Sequence, residues 1–119
     1  MVFKDYQAYL EKKEELTKKL LGKFGCVVEF NGFVREYDLK GGEVVPAEGM
    51  FIKDEVFNYL EDIRKNTIEK FGLIEVIIYH NQGFLKVGDR VTGFAIFAKH
   101  RYEAFEALQY LINEVKKYH

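Results

Sequence analysis

The stretch LIEVIIYHNQGFLKVGDRVTGFAIFA, residues 73–98, decides the fold. Two apolar runs, Leu73–His80 and Arg90–Ala98, flank a segment carrying Gly83 and Gly88-Asp89. Each run is of strand length and rich in Val, Ile, Phe and Tyr, and the glycines between them read as a turn region. A connection this short favours an antiparallel return, because a parallel one needs a longer crossover. Working outward, Asp54 is placed to cap a helix over 54–71, with Phe57, Leu60, Ile63, Ile68 and Phe71 inward and Gly72 as its stop. A last helix runs from about Arg101 to the end. Upstream, Cys26–Val34 reads as a strand, Arg35–Gly42 as a polar, flexible loop, and Glu43–Val45 as a short strand that meets Pro46. Residues 4–23 read as an opening helix with no strand ahead of it, its Tyr6, Leu10, Leu16, Leu20 and Phe24 in a loose apolar stripe. The order α-β-β-α-β-β-α predicts an α+β sandwich with an antiparallel or mixed sheet. Two helices would cover one face, leaving an edge or the second face to a partner.

Composition bounds the function. A chain of 119 residues with 48% hydrophobic residues and one Pro fills a core as one domain over 1–119, which excludes disorder as its main state. No apolar run approaches the roughly 20 residues of a membrane span. The charged opening stretch carries no signal-peptide core, so the expected location is the cytoplasm. Eighteen basic against 19 acidic residues argue against a nucleic-acid binder, whose phosphate contacts need a basic surplus. The lone Cys26 excludes an internal disulfide and any multi-cysteine metal site, and no HxxxH or CxxC spacing exists, so no metal and no cofactor is expected. Cys26 reads as a core residue and His80, between a strand and a Gly-containing turn, as structural or surface rather than catalytic.

The last helix carries the chemistry. At 100° per residue Ala104, Phe105, Leu108, Leu111, Ile112 and Val115 form an apolar stripe, with Lys116 at its flank and Lys117 on the solvated side. Partial desolvation of Lys116 would make it a usable nucleophile or acid/base; the plainer alternative is that both lysines complement the helix dipole. At the other end His100-Arg101 reads as ordinary surface or as a phosphate clamp, which Arg35 could join.

These residues add up to a resemblance. Gly25-Cys26-Val27-Val28-Glu29-Phe30-Asn31-Gly32-Phe33-Val34-Arg35 is similar to the G-x-V-V-x-F-x-G-x-V-R segment of the molybdopterin synthase catalytic (large) subunit family. His80, Gly83, Leu85, Gly88-Asp89 and Val91 match its H-x-x-G-x-L-x-x-G-D-x-V stretch, and His100-Arg101, Ala104-Phe105 and Ala107 its H-R-x-x-A-F-x-A motif. The family's P-x-W-K-x-E segment, with a second lysine, has no counterpart among the 119 residues. The resemblance covers about residues 25–117. It implies an α/β hammerhead-like sandwich, a homodimer, and a heterotetramer with two ubiquitin-like sulfur carriers ending in Gly-Gly. The carrier's thiocarboxylate would supply sulfur to cyclic pyranopterin monophosphate, forming the molybdopterin dithiolene. By position Lys116 falls on the family's catalytic lysine, Arg35, His100 and Arg101 on its anion- and substrate-binding positions, and Phe30 on a pocket aromatic.

Helix length adds a constraint. Sixteen residues separate His100 from Lys116, roughly 24 Å along a straight helix, with no Gly or Pro between them. One pocket is therefore expected to take His100 and Arg101 from one subunit and Lys116 from its two-fold mate. Two other functions stay open on the same residues: a non-catalytic paralogue that docks a ubiquitin-like carrier or another protein, and an anion-regulated dimer.

Overall fold

The computed structural model describes residues 1–46 and 49–119. Among the described residues eight strands and three α-helices follow in the order β1 Val2–Phe3, α1 Tyr6–Lys19, β2 Cys26–Phe33, β3 Tyr37–Lys40, β4 Glu43–Pro46, β5 Gly49–Ile52, α2 Phe57–Phe71, β6 Glu75–His80, β7 Gly83–Lys86, β8 Arg90–Ala98 and α3 Arg101–Lys116. The central sheet has the order β1-β6-β8-β2 and is mixed: β1 runs parallel to β6, while β6–β8 and β8–β2 are antiparallel. The strand pair expected at 73–98 is its centre.

Strand alternation sorts the core into two layers. Val76 and Ile78 of β6, with Phe94, Ile96 and Ala98 of β8, pack against α2 and α3 through Leu60, Ile63, Ala104, Ala107, Leu111 and Val115. Ile77, Tyr79, Ala95 and Phe97 face the other way and pack against Tyr9 and Leu16 of α1. The second face is therefore covered by α1, so of the two places expected to be open to a partner, an edge or the second face, only the edge remains. Coverage on both faces explains why β8 reads as a continuous apolar run: every residue from Val91 to Ala98 is buried.

Several local expectations shift. The opening helix is preceded by a strand after all, two residues long and paired with Ile78 and Tyr79. Asp54 does not cap α2. Residues Asp54–Val56 form a 3-10 turn whose N-cap, Lys53, makes no side-chain hydrogen bond, and the α-helix starts at Phe57. Its stop holds, because Gly72 takes the left-handed conformation (φ 62°) that closes the helix. Phe57, Ile68 and Phe71 are half-buried, and Thr67 joins the core because its hydroxyl donates to the Ile63 carbonyl (2.6 Å). The polar segment 35–42 contains β3, which pairs with β4 across Gly41-Gly42; both glycines have positive φ, as a two-residue primed turn requires. Part of the expected 83–88 turn is β7, paired with β5.

Candidate active site

The first part of the site grows from the end of β2. Phe30 stacks on Phe94 (5.7 Å between centroids), on the sheet face that α3 covers. At Gly32/Phe33 the register with β8 slips, so Phe33 pairs with Arg90. Just beyond, the Val34 amide donates to the Asp89 carbonyl and the Gly88 amide donates to the Val34 carbonyl, both at 2.9 Å. The Gly88-Asp89 turn thus stitches down the strand end from which Arg35 projects. A cavity of about 340 Å³ opens there, lined among others by Phe30, Arg35, Met50, Ile112, Lys116 and His119. The Thr92 hydroxyl on its wall donates to the Tyr79 carbonyl (2.7 Å), so the lining is mainly apolar with two cations. That combination holds a planar apolar body and its anionic end together.

Lys116 is the last residue of α3. Its side chain borders the cavity but the residue is exposed, which goes against partial desolvation and fits the plainer alternative of a cation at the helix C-terminus. The reason is helix rotation. The buried row is Ala104, Ala107, Leu111 and Val115, while Leu108 and Ile112 are half-buried and Phe105 stands 56% exposed. Two alanines let α3 approach the sheet closely along that row, turning Phe105 and Lys116 outward.

The second part lies at the other end of α3. Gly25, Cys26, Lys99, His100, Arg101 and Tyr102 line a separate cavity of about 350 Å³. Gly25 is needed for space: a Cβ there would lie 2.1 Å from the Lys99 carbonyl oxygen. His100 is the N-cap, extended and without a side-chain cap bond, and its Nδ1 lies 2.9 Å from the Glu103 carboxylate. The Arg101 guanidinium donates to the Tyr102 hydroxyl (3.0 Å) and lies 4.8 Å from that ring's centroid. Both residues are exposed, at a helix N-terminus, where anions are favoured. Cys26, expected in the core, is half-buried: it packs against the core and also borders this cavity.

One chain therefore brings Phe30, Arg35 and Lys116 together and holds His100 and Arg101 apart from them, at the far end of a 16-residue helix. Sequence reasoning missed His119. His80 is fully buried, its Nδ1 2.7 Å from the Asn81 carbonyl and its Nε2 2.8 Å from Nε2 of His119. A carbonyl only accepts, so Nδ1 of His80 carries the proton, its Nε2 accepts, and His119 donates. Burial lowers the pKa of His80; burial, His80 and Lys116 together bring that of His119 down to about 4. Nothing in a histidine three residues beyond Lys116 signals this partner 39 residues away in sequence. Among the described residues no cluster of three or more His, Cys, Asp or Glu is placed to hold a metal ion, and no helix is long and apolar enough to cross a membrane.

Comparison with known proteins places this geometry in a family. The family described as MoaE protein matches residues 5–118. An uncharacterized protein of Methanocaldococcus jannaschii is 50% identical over 119 residues, 100% of both chains. A molybdopterin synthase catalytic subunit of Pyrococcus abyssi is 34% identical over 93 residues, covering 78% of this chain and 62% of that one, so the chain spans less than two thirds of that relative's length. Among solved structures, molybdopterin synthase from Staphylococcus aureus superposes with a TM-score of 0.63 at 30% identity, over 80% of this chain and 69% of that one. From the motifs in order, the mixed α+β fold and a match along nearly its whole length, the chain belongs to the MoaE family.

Proposed function

We propose that this chain, acting as one domain over 1–119, is a catalytic subunit of molybdopterin synthase. It would transfer sulfur from a thiocarboxylated ubiquitin-like carrier to cyclic pyranopterin monophosphate, in the cytoplasm. The observation that carries this function is the cavity in which Phe30, Arg35 and Lys116 meet. Phe30 offers a ring face to a flat pterin, Arg35 a guanidinium to an anion, and Lys116 an ammonium to the incoming thiocarboxylate or to a proton in transit. The carrier brings its own reactive sulfur, so the half-buried Cys26 is not required as nucleophile. A lone cysteine and a thiocarboxylate reagent both suit a reducing compartment.

His100 and Arg101 enter through a second copy. On α3, Phe105 and the half-buried Leu108 and Ile112 lie between Arg101 at one end and Lys116 at the other. β2, beside them, is an edge strand of the sheet. An antiparallel two-fold pairing of this surface sets the cationic start of one α3 against the Lys116 end of its mate, completing each pocket with His100 and Arg101. The exposure of Phe105 supports such a partner.

The test is a sulfur-transfer assay with thiocarboxylated carrier and the cyclic pterin precursor, following dithiolene product. Lys116→Ala and Arg101→Ala should each abolish turnover. Mixed 1:1 with subunit exchange, the two inactive chains should regain about a quarter of wild-type activity, since half the dimers carry one intact composite site. Carrier binding without product in the wild-type chain would instead identify a docking module, and no recovery on mixing would refute the shared pocket.

A further inference from the structure

Lys116 stands where a helix is weakest. The final carbonyls of α3 lack intrahelical partners, and last turns fray. Beyond it the Tyr118 amide donates to the Val115 carbonyl (3.1 Å) and the His119 amide to the Lys116 carbonyl (3.2 Å). Two side chains then reach back to different elements. The Tyr118 ring stacks on Tyr59 of α2, 4.0 Å between centroids and 10° from parallel. The His119 imidazole donates to His80 at the end of β6. His80 cannot turn away: its Nδ1 proton is committed to the Asn81 carbonyl and its ring sits edge-on to Phe57. Its ring is fully covered in the folded chain, and its Nε2 accepts from His119.

We propose that the His80–His119 hydrogen bond and the Tyr59–Tyr118 stack form a clamp that holds the last turn of α3 and so places Lys116 at the mouth of its cavity, His119 acting as a positioning residue. This rests on the molybdopterin synthase function proposed for the cavity. The clamp ties the lysine-bearing turn to two elements, α2 and the central sheet, that are themselves anchored in the core. His119 also borders the cavity, so the clamp is part of the pocket wall. Burial disfavours the charged form of His80, and partial burial with the neighbouring His80 and Lys116 disfavours that of His119, so the clamp grips without adding positive charge beside Lys116.

Three variants test this: His119→Phe keeps a ring and removes the donor, His119→Gln keeps a donor, and Tyr118→Ala removes the stack. Amide hydrogen exchange of residues 112–116 is read against that of β8, and sulfur transfer is read as kcat and KM. In His119→Phe, exchange in the last turn should be about tenfold faster with β8 unchanged, and kcat should fall about tenfold with KM for the carrier within twofold. His119→Gln should recover most of both, and Tyr118→Ala should loosen the same turn. Unchanged exchange in His119→Phe, or equal losses in the Phe and Gln variants, would overturn the clamp. A wild-type chain that transfers no sulfur would sink the function proposed for the cavity, while exchange in the last turn would still decide the clamp.

Discussion

Replacing Gly25 with Ala tests how the second cavity is built. Gly25 does not occupy the left-handed backbone region, so an alanine costs nothing in conformation there. The cost is space. The new Cβ would lie 2.1 Å from the Lys99 carbonyl oxygen, more than 1 Å inside ordinary contact, and that oxygen is backbone on the short connection between β8 and α3. It cannot rotate away as a side chain would. Moving it strains the Gly25 amide bond to the Ala98 carbonyl (2.8 Å) and displaces His100, the N-cap of α3. Overpacking against a rigid neighbour costs about 2–3 kcal/mol, or roughly 6–12 °C in Tm for a domain of this size. The control is Gly72→Ala, which meets nothing within 4 Å but must adopt φ 62°, at a cost of about 1 kcal/mol. Urea unfolding of both variants, with unchanged m-values, should rank Gly25→Ala as the more damaging. A loss at Gly25 equal to or smaller than that at Gly72 would refute the close-approach reasoning.

Leu111→Ala, at a fully buried position of α3, should lower unfolding free energy by about 3–4 kcal/mol by urea titration, through lost transfer energy plus a cavity. Phe105→Glu, at a side chain 56% exposed in the single chain, should shift sedimentation to monomer and reduce turnover if the proposed two-fold pocket forms. The histidine pair sets a pH dependence. Because the pKa of His119 is held down to about 4 from 6.5, the unfolded chain takes up a proton between these values that the folded chain refuses. That part of the stability is complete above about pH 6.5 and declines as pH falls toward 4. With solvent screening of the exposed residue allowed for, the loss from His119 is on the order of 1–2 kcal/mol, measurable by Tm against pH and reduced in His119→Gln to what the buried His80 contributes.

The centre of the fold was legible from residues 73–98 because both strands are long, apolar and separated by turn chemistry. The Gly72 stop, strand Cys26–Phe33 and the start of α3 were legible for the same kind of reason: each is marked by local punctuation or period. Phe30, Arg35 and Lys116 could be named from motif order, and they share a cavity. The two-residue β1 and four-residue β5 could not be found, since such pieces become strands only by pairing with β6 and β7. Which stripe of α3 is buried was decided by how closely Ala104 and Ala107 let it approach the sheet, and that turned Phe105 outward against expectation. Likewise α1 could be read as amphipathic without revealing that it seals the second sheet face. Local pattern reports what a segment prefers to bury. What it is buried against, and which distant groups such as His80 and His119 then meet, depends on long-range packing that no short window of sequence contains.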